Sequence, residues 1–123
     1  MNSKELEERL IDFAVNVLKV AETLSGMGSN HLANQLLRSG TSSALNYGEA
    51  QGAESTKDFI HKLQVVLKEL RETNVCLRII AKAKLNQNDG QLVATLNESN
   101  ELISIFVKTV NTAQKNQKSA IRN

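Results

Sequence analysis

Arg38, Ser42, Asn46 and Glu49 recur at spacings of four, four and three residues, so a helix stacks them as one polar stripe. Glu69 and Glu72 follow on the next segment. The chemistry open to these residue types is ionic pairing, because the planar fork of an arginine donates two parallel hydrogen bonds to a carboxylate. The stripe lies on a segment in which Leu, Ala and Gly are most of the remaining residues. A polar group buried there without a partner costs about 2–7 kcal/mol, so partners are required. A hairpin centred near residue 53 or 54 supplies them, since facing residues then have numbers that sum to about 107. That arithmetic pairs Arg38 with Glu69 and lets it reach Glu72 one turn on. It sets Asn46 beside His61 and Glu49 near Lys57 and Asp58. The six residues read first as a structural network that fixes register, the best-attested use of buried ion pairs. Left open to solvent, the same row would make a site.

Catalytic constellations are missing one after another. Gly26-x-Gly28 lacks the preceding strand, the third glycine and the lysine of a phosphate-binding loop. There is no Gly-x-Ser-x-Gly elbow. A di-iron bundle needs Glu-x-x-His on each of two helices and two further Glu. Only Asp58-x-x-His61 has that spacing, and His31 is remote from it. Cys76, beside Val75 and Leu77, reads as a small core residue. Glu98 and Glu101, with Ser99 and Asn100 between them, read as a wet face. No enzyme, metal or cofactor is expected.

Cationic groups offer a second chemistry, contact with phosphate. Arg71, Arg78, Lys82 and Lys84 run along one segment, the first three near one face of a helix, and Lys115, Lys118 and Arg122 follow at the end. A net charge of +2 does not by itself demand a polyanion, and with three Phe and one Tyr there is no platform for stacking single-stranded bases. What remains is backbone contact with structured RNA or DNA, multiplied if copies of the chain assemble.

The elements that must position these groups are helices. The 123 residues suffice for one domain, and the absence of Pro favours helix. The first helix spans roughly 4–24, with Leu6, Leu10, Phe13, Val17, Val20 and Leu24 on one face. The second spans roughly 30–50, where Gly40, Ala44, Gly48 and Gly52 form a small-residue ridge for close packing or mark a frayed end. The third spans roughly 56–86 behind a Ser55–Asp58 capping box, and the fourth roughly 91–113. Residues 114–123 read as a basic, loose tail. Short connections imply an antiparallel up-down-up-down four-helix bundle. Apolar residues beyond one stripe, among them Ile60, Leu67, Val75, Ile79, Leu102 and Ile105, read as a subunit interface. The lone Cys fits a reducing cytoplasm, and neither a leader peptide nor a membrane span is expected.

Leu37-Arg38-Ser39-Gly40-Thr41-Ser42, Asn46-Tyr47-Gly48-Glu49, Lys57-Asp58-Phe59 and Leu67-Lys68-Glu69-Leu70-Arg71-Glu72 give the chain a family likeness. Over roughly 6–110 it resembles the four-helix bundle proteins called 23S rRNA intervening-sequence, or S23, proteins. The resemblance implies an antiparallel bundle and a homopentameric barrel. Relatives include the accessory protein of diversity-generating retroelements, a basic pentamer associated with nucleic acid. By resemblance, Arg38, Ser42, Asn46, Glu49, Glu69 and Glu72 occupy family positions. Tyr47-Gly48 departs from the two small or aliphatic residues often found there, and this chain is less basic than the retroelement relatives. Two functions are expected in order: a homo-oligomer that binds structured RNA or DNA by phosphate contact, then a scaffold for a protein partner.

Overall fold

Asn2 opens the first helix, its side chain accepting the Glu5 backbone N–H at 2.8 Å while the Glu5 carboxylate accepts the Asn2 N–H in return. In this computed structural model, which describes residues 1–122 and the side chains of residues 1–121, four helices follow in order. They are α1 (Ser3–Glu22), α2 (Ser29–Gln51), α3 (Thr56–Ala83) and α4 (Asp89–Arg122). No strand occurs among the described residues. Among them, no helix is long and apolar enough to cross a membrane.

Local chemistry sets most of the boundaries. Gly28 takes the left-handed conformation at φ 81 that lets the chain turn into α2. The Ser55 hydroxyl accepts the Asp58 N–H at 3.0 Å to start α3, and the Asn88 side chain accepts the Gln91 N–H at 3.0 Å to start α4. α2 holds its helix through Gly48 and stops only at Gly52. α4 runs on to Arg122, past the expected end near residue 113. Nothing after Gly90 is Gly or Pro, and Ala113, Gln114, Lys115, Gln117 and Lys118 are helix formers, so no residue there stops the helix.

Each helix buries one stripe. Leu10, Phe13, Val17 and Val20 of α1 meet Leu36 of α2, Leu63, Val66, Leu70, Leu77 and Ile80 of α3, and Leu102 and Phe106 of α4. Burying each of these side chains contributes about 1.5–3 kcal/mol. The Tyr47 and Phe106 rings meet edge to face with centroids 5.5 Å apart. α1 and α3 each run close beside α2 and α4 but not beside one another, and meet only through core side chains, so they lie across the diagonal. The Ser25 N–H donates to the Leu85 carbonyl at 3.0 Å, tying the α1–α2 loop to the α3–α4 loop.

The small-residue ridge divides on inspection. A methyl at Gly40 would lie 2.7 Å from Val17 Cγ1, so glycine is what lets α2 approach α1. Gly48 has nothing within 4 Å of such a methyl, and Gly52 is the helix cap. The apolar surplus also divides. Ile60 and Leu102 are core and Leu67 and Ile105 half-buried, whereas Val75 and Ile79 are exposed. An exposed stripe that periodicity does not single out runs along α1 at Ile11, Val15 and Leu18.

Candidate functional site

Arg38 projects from α2 toward α3. Its Nη1 donates to Glu69 Oε2 at 3.1 Å, and its Nη2 donates to Glu72 Oε1. Glu69 is 4% exposed and Arg38 about half exposed, so the pair reaches from solvent into the helix contact. Hydrogen bonding to Glu72 and the charge of both carboxylates raise the Arg38 pKa against the opposing pull of desolvation. One face of α2 therefore delivers a cation to two acids a turn apart on α3, as the hairpin arithmetic requires.

The rest of the stripe does not join this network. Asn46 turns back along its own helix, its amide donating to the Ser42 carbonyl and to Ser42 Oγ, each at 2.9 Å. It does not pair with His61, because an amide one turn from a serine finds both acceptors within its own helix. Glu49 accepts from Lys62 Nζ at 2.8 Å, whereas the hairpin arithmetic sets Lys57 and Asp58 beside it. Lys62 lies one turn further into α3. The six residues thus form three separate units.

Two polar contacts escape the sequence reading. Thr73 Oγ1 donates to Ser39 Oγ at 2.8 Å, joining α2 to α3 at positions that are 0% exposed. The Asn74 amide donates to Ser99 Oγ at 2.8 Å and to Asn100 Oδ1 at 2.9 Å, joining α3 to α4, while Arg78 Nε donates to Asn74 Oδ1 at 3.0 Å. Among the described residues, every buried side-chain N and O atom has a partner. A third contact corrects the reading of Glu98 as part of a wet face, while Glu101 does face solvent. Arg9 grips Glu98 in a fork, Nε and Nη2 each at 2.7 Å, and its Nη2 also reaches Glu101 at 2.8 Å. The Arg9 hydrogen bond holds the Glu98 carboxyl below its ordinary range, against the opposing effect of burial. Cys76 is buried, and desolvation pushes its thiol pKa up.

The cations sort into two groups. Arg71, Arg78, Lys82 and Lys84 are exposed along α3 toward the α3–α4 loop, with Lys84 in the left-handed cap position at φ 56. Lys115 and Lys118 are exposed near the other end of the bundle, where Asn116 and Gln117 line a groove with Thr56 at the start of α3. The side chain of Arg122 lies outside the described residues. At about 1.5 Å per residue, even Arg71 lies roughly 22 Å along α3 from Thr56, so the two groups do not form one patch.

The profile of the 23S rRNA-intervening sequence protein family matches residues 4–108. The chain belongs to this family. The crystal structure of a Bacteroides thetaiotaomicron protein of unknown function, from the S23 ribosomal protein family, is similar to it. The two chains are 27% identical, with a TM-score of 0.77 over 90% of this chain and 99% of the other. No curated protein matches the chain. For this member of the 23S rRNA-intervening sequence family, the matched stretch holds the Arg38 ion pair and the Asn74 contacts but stops before Lys115 and Lys118. Among the described residues, no three His, Cys, Asp or Glu side chains gather closely enough to hold a metal ion.

Proposed function

We propose that this family member is a non-enzymatic bundle that assembles with copies of itself and holds structured RNA or DNA by phosphate contact. Its helices run up, down, up and down, a reading supported by the pairs Arg38–Glu69, Glu49–Lys62, Asn74–Ser99 and Arg9–Glu98. Between α2 and α3 the numbers fall along one helix as they rise along the other, and short loops return α2 beside α1 and α4 beside α3. The family likeness favours a ring of five, and the unpaired thiol favours the reducing cytoplasm as its setting.

One observation carries the nucleic-acid reading. Because α4 stays helical to its end, Lys108 and Lys115 sit two turns apart on one outer face, with Lys118 one turn further on. No acid follows Glu101 in the sequence, and these lysines have no carboxylate partner among the described residues. A rigid basic edge repeated around an assembly tracks a phosphate backbone without reading bases. Binding of duplex DNA and of structured RNA by nuclease-treated protein is then insensitive to sequence and steeply weakened by salt. Replacing Lys108, Lys115 and Lys118 with Glu lowers the slope of log affinity against log salt by about 0.9 for each phosphate that is no longer neutralised. No binding by the unaltered chain at low salt would overturn the reading. The exposed Val75 and Ile79 favour a second reading, a scaffold for a different protein. A nuclease-resistant protein partner that co-purifies would support it.

A further inference from the structure

Two outer faces of the bundle carry apolar side chains that stay exposed among the described residues. On α1, Ile11, Val15 and Leu18 follow at four and three residues and are 39%, 41% and 43% exposed. Glu8 and Asp12 flank this stripe and Glu22 follows it, with Lys4 and Lys19 the opposing charges on the same outer face. On α3, Val75 and Ile79 are each 45% exposed and line a shallow groove with Arg78 and Lys82. Lys68 and Arg71 extend its fringe, and the nearby Glu72 is already held by Arg38. One face is apolar with an acidic rim and the other apolar with a basic rim. An apolar centre inside a charged rim is the anatomy of a protein interface.

We infer that the α1 face of one copy docks on the α3 face of the next through Ile11, Val15 and Leu18 against Val75 and Ile79, with Glu8, Asp12 and Glu22 facing Arg71, Arg78 and Lys82. The inference rests on the assembly reading and names the surfaces that make it. The occupant is a second copy because the two halves of one complementary pair are both present on this chain. α1 and α3 lie across the diagonal of the bundle, so the two faces point away from each other. A contact between them is therefore head to tail. It leaves each copy with one donor face and one acceptor face until a ring closes. The rim charges choose the partner and speed encounter, while the apolar centre holds it. This docking also gives the α3 cations a carboxylate partner, which leaves phosphate to the lysines of α4.

The test uses two full-length variants, Ile11→Asp with Val15→Asp, and Val75→Asp with Ile79→Asp. Circular dichroism checks that each keeps its helices. If either unfolds, Ser at the same positions makes the same test. Light scattering on the unaltered chain gives an assembly. Each variant alone falls to the 13.5 kDa monomer, since each lacks one of the two faces. An equimolar mixture restores a single contact and gives twice the monomer mass, because one variant offers an intact α3 face and the other an intact α1 face. That heterodimer weakens as salt rises. If the unaltered chain assembles but a folded variant keeps its full size, or if the mixture stays monomeric, the docking is overturned while assembly stands. If the unaltered chain is itself a monomer, assembly fails and the docking with it.

Discussion

Two glycines of α2, eight residues apart, give the sharpest test of the packing, because the same substitution has opposite signs at the two sites. Replacing glycine with alanine in a helix interior stabilises by about 0.8–1 kcal/mol where space is free. Gly48 is exposed and its added methyl meets nothing within 4 Å, so Gly48→Ala gains that amount. At Gly40 the methyl would lie 2.7 Å, 3.0 Å and 3.1 Å from Cγ1, Cγ2 and Cβ of Val17. Val17 is fully buried and β-branched, so it has no free rotamer to swing into. The helices must separate instead, and overpacking of this kind costs about 1–3 kcal/mol. Gly40→Ala therefore falls below Gly48→Ala by about 1–3 kcal/mol. Urea unfolding of both variants, followed by circular dichroism, reads the difference as a shift in midpoint at constant slope. Adding Val17→Ala, which removes the two obstructing methyl carbons, recovers part of the loss at Gly40 and none at Gly48, a coupling that a double-mutant cycle isolates. If Gly40→Ala is as stabilising as Gly48→Ala, α1 and α2 do not approach as described.

Other consequences follow from the polar contacts. Arg38→Ala lowers assembly mass more than helix content, because it strands Glu69 between α2 and α3, leaving Lys68 Nζ at 3.8 Å as the remaining cation. Light scattering beside circular dichroism reads this, and an intact assembly refutes it. Glu98 binds Arg9 as a carboxylate, so its pKa is lower folded than unfolded. Its stabilisation is complete above the ordinary glutamate value of about 4.3 and is lost as pH falls through the lower folded value. Urea midpoints of Glu98→Gln should therefore drop less between neutral and acid pH than those of the unaltered chain. Ser39→Ala removes the hydroxyl that meets Thr73 Oγ1, and the single Thr73 proton still has the Glu69 carbonyl at 2.8 Å to go to. The expected loss is about 1 kcal/mol, read from urea unfolding.

The legible part of the fold is the part fixed locally. Asn2 with Glu5, Ser55 with Asp58, and the glycines near 26–28 mark helix ends through side-chain caps and left-handed turns, and these helices begin within one residue of the expected places. A short loop also fixes the register of the two helices it joins, which is why residue numbers alone bring Arg38 to Glu69 and Glu72. Arg9 and Glu98 are 89 residues apart on helices that no loop connects directly, so no such arithmetic reaches them. Ser39, Thr73 and Ser99 stay invisible for another reason. Serine and threonine satisfy themselves on a carbonyl of their own helix, as Ser99 does on Leu96, and can occupy core or surface positions equally well. The end of α4 is helical where its polarity suggests looseness, because polar helix formers such as Gln and Lys hold a helix as well as they hold water.

The mass of the nuclease-treated full-length chain by native mass spectrometry tests the central claim of an assembling bundle most directly. A closed ring predicts one discrete species at five times 13.5 kDa, free of nucleic acid and stable on dilution. A lone 13.5 kDa species, or an open ladder of sizes that lengthens with concentration, would contradict it.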